Sequence, residues 1–164
     1  MELSVKGGKK VKELLKNLKV EMNDIRTVHV GYFKSAKYLD GTSVPEVAVK
    51  HEFGQPSERI PARPTMRPAI EMMKQELPKM TKSMIQEQLH KDPKTFAELY
   101  PKRIGAVMQG YIQLMISLLT TPELSETTKR IRRTRTVNPT TSEKPLIDTG
   151  TMRTAVTWRI TNNP

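Results

Sequence analysis

The segment Ile104 to Leu119 constrains this chain more than any other. Val107, Met108, Tyr111, Ile112, Met115, Ile116 and Leu119 recur at helical spacing and give one wide apolar face. A face that wide has to be covered by other parts of the chain, so the segment predicts a central helix. Thr120, Thr121 and Pro122 end it. Gln113 and Ser117 interrupt the stretch Tyr111 to Leu119, which is also too short to span a bilayer.

The remaining elements are read against that helix. Residues 1–22 predict an amphipathic N-terminal helix, with Val11, Leu14, Leu15 and Leu18 on one face and lysines on the other. Residues 27–33 predict a strand, because Val28, Val30 and Tyr32 alternate with Thr27, His29 and Gly31. Asp40-Gly41 marks a turn. Ser43 is a candidate N-cap for a short helix that carries Pro45 in its first turn, places Val47, Ala48 and His51 on one face, and stops at Gly54. Pro56, Pro61 and Pro64 make residues 55–64 an extended arm. Residues 65–121 form a helical region. Within it, Ile70, Met73, Leu77, Met80 and Met84 make a methionine-rich stripe suited to core packing. Pro78 is expected to kink or divide the first helix of this region, Asp92-Pro93 starts the next one, and Pro101 restarts or bends it. Residues 122–143 read as a mobile basic loop. Residues 144–164 read as a capped turn and a closing strand, with Val156, Trp158 and Ile160 on one face and Thr157 and Arg159 on the other. That strand is expected to pair with the first. The expected class is α+β in a single domain, with a small antiparallel sheet packed against long helices.

Length and composition fit this picture. The chain has 164 residues, enough for one domain with a real core. It carries 28 Lys and Arg against 17 Asp and Glu, a formal net charge of +11, which favours an anionic partner. There is no cysteine, hence no disulfide and no thiolate metal site. Met1 to Val20 lacks the apolar run of a secretory signal.

Candidate chemistry is sparse. Asp148-Thr149-Gly150 has the form of an aspartic-protease turn, where two aspartates share a proton. Thr151-Met152-Arg153 follows it, with too little chain beyond for a flap and a second sheet. The architectural reading is preferred: Asp148 or Thr149 caps one helical turn, and Gly150 relieves backbone crowding. His51-Glu52 lacks a second histidine at helical spacing, so the zincin pattern is missing. No catalytic residue, cofactor or metal is expected. The strongest electrostatic feature is Lys129, Arg130, Arg132, Arg133 and Arg135. These five are candidates for docking on an acidic protein surface or for contact with DNA phosphates, with protein docking preferred. No aromatic residue interleaves with the arginines to stack on single-stranded bases.

Separated stretches, taken in order, resemble one family. They are His51-Glu52-Phe53-Gly54, Ile60-Pro61-Ala62-Arg63-Pro64-Thr65-Met66-Arg67-Pro68-Ala69, Leu124-Ser125 through Thr128-Lys129, and Lys144-Pro145-Leu146-Ile147-Asp148-Thr149-Gly150. The set is similar to the tail-completion and head–tail joining (neck) proteins of tailed bacteriophages, including those of the virion morphogenesis type. It spans the chain from about Val28 to Ile160. Thr65-Met66 departs from the family's commoner aromatic–leucine pair, and Lys91 to Tyr100 and the basic loop look like elaborations. The resemblance implies a small α+β subunit of a homo-oligomeric ring, hexameric or alternatively dodecameric. Such a ring joins the phage head adaptor or connector to a tail terminator or tail-tube protein, and DNA passes through it. The implied location is the head–tail junction of the virion, after synthesis in the host cytoplasm, with no membrane partner. Ile60, Pro61, Arg63, Pro64 and Arg67 then become candidate assembly-arm residues, and Asp148, Thr149 and Gly150 a fold landmark. The alternatives are a tail-terminator-like ring protein and a non-specific nucleic-acid-binding protein.

Overall fold

Two strands far apart in the sequence close the fold. β1 (Arg26–Gly31) pairs antiparallel with β2 (Thr157–Asn162), with Val28 opposite Ile160 and Val30 opposite Trp158. The computed structural model describes residues 26–88 and 93–162, together with Lys12 and Lys16. Lys12 and Lys16 are helical and exposed; the rest of the expected N-terminal helix lies outside the described residues. The expected alternation holds on β2, where Thr157 and Arg159 are exposed while Trp158 and Ile160 are half-buried. The strand starts at Thr157, one residue after Val156 where the alternation begins, because Ala155 ends the helical turn before it.

Between the strands lie α1 (Val44–Phe53), a 3-10 turn (Pro56–Glu58), α2 (Met66–Gln88), α3 (Pro93–Leu118), α4 (Glu126–Thr134) and the single turn α5 (Thr151–Thr154). α3 is the predicted central helix. It packs against α2 and against both strands. Its Ile112 and Ile116 are sealed in a core with Val44 and Ala48 of α1, Ala69 of α2, and Leu146, Met152 and Val156. The fold is therefore α+β, a small antiparallel sheet on long helices. Burying a Val, Leu, Ile or Met side chain stabilises by roughly 1.5–3 kcal/mol, so this cluster is the main cohesive element. A second cluster, Met84 and Phe96 with Met80, Ile85 and Tyr100, joins α2 to α3. The Phe96 and Tyr100 rings stack there at 5.1 Å, and Thr81 and Tyr100 share a 2.7 Å hydroxyl contact.

Of the two outcomes expected at Pro78, division does not occur: α2 runs on through it. That proline is solvent-exposed, so water can take up the carbonyl left without a donor. α3 also runs through Pro101 without a restart. One expectation is corrected: residues 122–143 are not a loop throughout, because they contain α4. Its start is fixed by Ser125, whose Oγ accepts from the Thr128 amide at 3.2 Å. Glu126 in the first turn and Arg132 and Arg133 in the last complement the helix dipole. Asp92, the expected cap of α3, lies outside the described residues, while Pro93 does open that helix.

Candidate functional site

The motif stretches meet in one braced knot beside the core. α1 carries Glu52 into it, on the buried row that also holds Val44 and Ala48. The Glu52 carboxylate is 6% exposed and accepts from the backbone amides of Thr65, Met66 and Arg67 at 2.7, 3.0 and 3.0 Å. It thereby caps the start of α2 from another helix. Burial pushes the Glu52 pKa up, but the amides of Met66, Thr65 and Arg67 and the Arg67 guanidinium outweigh that, and the net direction is down. Arg67 donates to Glu52 Oε1 at 3.2 Å and to the Glu52 carbonyl at 2.6 Å, and lies over the Phe53 ring.

The proline-marked arm is not extended away from the domain. The amides of Gln55 and Ile60 bond to each other's carbonyls, closing a small loop around the 3-10 turn. The Arg63 amide donates to the His51 carbonyl at 2.6 Å. The prolines remove donors, but the amides that remain find internal acceptors, so the arm folds back. Gly54 permits this: it sits at φ +75°, and a Cβ there would come within 2.9 Å of the Ala62 nitrogen. The side chain of Arg63 is 5% exposed and donates to the carbonyls of Pro122 at 2.9 Å and Glu123 at 2.8 Å. Of the candidate arm residues, Arg63 is thus buried and Arg67 is bound to Glu52. Ile60 and Pro64 are half-buried, and Pro61 is exposed.

A second arginine braces the far side. Arg132, 8% exposed, donates to the carbonyls of Lys144, Pro145, Ser142 and Ile147 at 2.9 to 3.3 Å. Ser142 Oγ also donates to the Ile147 carbonyl, at 2.6 Å. Asp148 takes both Arg135 nitrogens in a forked pair at 2.6 and 2.7 Å and lies 3.7 Å from Arg132. Both oxygens of Asp148 therefore face cations, the opposite of two carboxylates sharing a proton. Gln109 and Gln113 of α3 hold the Val156 and Arg153 carbonyls, and Lys144 reaches the Ser117 carbonyl.

The cap of α5 differs from expectation. Asp148 does not cap it, and the cap position belongs to Gly150, at φ +81°; Thr149, one residue before, only reaches the Thr151 amide, its Oγ1 accepting at 3.4 Å. A Cβ at Gly150 would meet nothing, so the left-handed backbone requires the glycine and crowding does not. Thr149 is exposed, its hydroxyl 2.7 Å from that of Thr151.

The five basic residues are not one free patch. Arg132 and Arg135 are engaged as described, Lys129 pairs with Glu126 at 2.8 Å, Arg133 pairs with Glu143, and Arg130 is exposed. The sequence marks Glu52 within a motif but not its capping role, and does not mark Gln109 at all; their partners lie in distant segments that no local spacing points to. His51 is half-buried, with an Nδ1 that has no partner, and burial followed by the Arg63 and Arg132 charges pushes its pKa down. The Tyr32 hydroxyl is likewise sealed without a partner, and burial raises its pKa. Among the described residues, no three His, Asp or Glu side chains are grouped to hold a metal ion. None of the described helices is long and apolar enough to cross a membrane. Compared with models of known families, with curated proteins and with solved structures, the chain matches none.

Proposed function

We propose that this chain is a structural virion protein of a tailed bacteriophage, a neck or tail-completion subunit that assembles into a homo-oligomeric ring. The ring joins the head connector to the tail and lets DNA pass, and the subunit catalyses no reaction. One observation carries the reading. The ordered stretches that resemble the neck family converge here on a single knot, where Glu52, Arg63 and Arg132 hold them together. The motifs then have an architectural reason to recur as a set. Around the knot, large apolar side chains stay exposed: Phe53 on α1, Leu39 in the turn after β1, and Val137 after α4. Such groups suit contacts between subunits, which bury apolar area around a polar rim.

Non-specific nucleic-acid binding is the second reading, favoured by the net charge of +11. It predicts affinity that falls steeply with salt. The internal pairing of Lys129, Arg132, Arg133 and Arg135 leaves fewer free cations in that segment than its sequence suggests. Cryo-microscopy of virions that carry the tagged chain tests the proposal. Ring density at the head–tail junction is the expected result. A chain missing from mature particles would sink it, and density at the tail end of the junction would move the assignment to a tail-terminator ring.

A further inference from the structure

Arg63 is a buried guanidinium whose charge meets no carboxylate among the described residues. Its acceptors are two backbone carbonyls, reached through Nε and one terminal nitrogen. A buried charge is ordinarily paired. Here burial, and then the neighbouring Arg132 guanidinium, push the Arg63 pKa down, so the surroundings disfavour its charge. Arg63 lines a cleft of about 630 Å³ between the folded arm and the start of α4. Arg59 lines the same cleft, exposed and in no ion pair among the described residues, at the end of the 3-10 turn. The hydroxyl-bearing Ser125 and Thr128 line the opposite wall, at the positive end of the α4 dipole. Glu58 and Glu123 also border the cleft. Glu58 is bound by Lys50 at 2.8 Å, and Glu123 lies 3.8 Å from Lys129.

We propose that this cleft binds a tetrahedral oxyanion of the phosphate class, with Arg59 and Arg63 supplying charge; the Ser125 and Thr128 hydroxyls lie 2.9 Å apart, so one donates to the other and the second supplies a neutral donor. Two cations without carboxylate partners match a doubly charged anion better than a single carboxylate. Arginine suits phosphate because its planar fork can donate two parallel bonds. The site does not depend on the ring assignment.

Calorimetric titration of the full chain with inorganic phosphate, at constant ionic strength with chloride as counter-anion, tests it. Two variants spare the Arg63 brace. Arg59→Ala removes an exposed cation. Thr128→Glu places a carboxylate in the cleft and completes a capping box with Ser125, which preserves α4. Saturable binding of one phosphate per chain is expected, weakened at least about tenfold in each variant, while neither variant melts earlier in phosphate-free buffer. No saturable binding, or wild-type affinity retained in either variant, overturns the site. Acetate binding as tightly as phosphate overturns the phosphate assignment.

Discussion

Glu52 shows most clearly how single residues set this structure. A buried carboxylate that accepts from three amides leaves those amides unsatisfied when it is lost. Glu52→Gln keeps the size but supplies one carbonyl oxygen, and should cost about 1–3 kcal/mol in a denaturant titration. The folded pKa lies below the ordinary glutamate value, so the charged form is favoured in the folded state. Its contribution is complete above the unfolded pKa and disappears as pH falls through the folded one. The wild-type midpoint should therefore drop over that acid window, and Glu52→Gln should flatten the drop; an unchanged slope would remove Glu52 from the account. Arg132→Lys keeps the charge but loses the planar fork that spans four carbonyls. It should lower stability by at least about 2 kcal/mol, read from the same titration. The sequence exposed the motif His51-Glu52-Phe53-Gly54 without its reason. The acceptor acts on residues 65–67, and that meeting is set by the fold, not by local spacing. For Asp148-Thr149-Gly150 the observed roles differ from the expected cap: Asp148 serves Arg135, and Gly150 supplies the left-handed turn.

At the scale of elements, periodic apolar segments were legible and polar ones were not. The face of α3 and the alternation of β2 follow from burial, so their patterns are written in the chain. On α2 the expected stripe holds at Met73 and Met84, but Ile70 is exposed and Ala69 takes the core position beside α1. α4 has no such face: Ile131 is exposed and Arg132 is its buried residue. Its helix depends on the Ser125 cap and on carbonyls brought from residues 142–147. Ser125→Ala should therefore cost about 1 kcal/mol and raise amide exchange in residues 126–134 before other elements respond. Gly105 of α3 makes a different case. A Cβ there would lie 2.6 Å from the Trp158 ring of β2. Alanine is the better helix former by roughly 1 kcal/mol, but overpacking costs about 1–3 kcal/mol. Gly105→Ala should melt earlier than wild type, and a higher melting temperature would show that the sheet can shift away from α3.

For the whole molecule, the chain's described ends are tied into one sheet over a shared core, and the knot fixes the arm and α4 to the same body. What remains for neighbours is an apolar set on the surface, with Leu39 86%, Val137 70% and Phe53 67% exposed. Surface charges at such positions should leave stability within about 0.5 kcal/mol. Leu39→Asp and Val137→Glu are thus expected to keep the wild-type melting temperature while weakening self-association, seen by sedimentation. Native mass spectrometry of the purified full chain separates a ring from a free subunit. A closed homo-oligomer is expected, six copies by the family resemblance or twelve as its alternative. A monomer at micromolar and higher concentrations, with no discrete larger species, would contradict it.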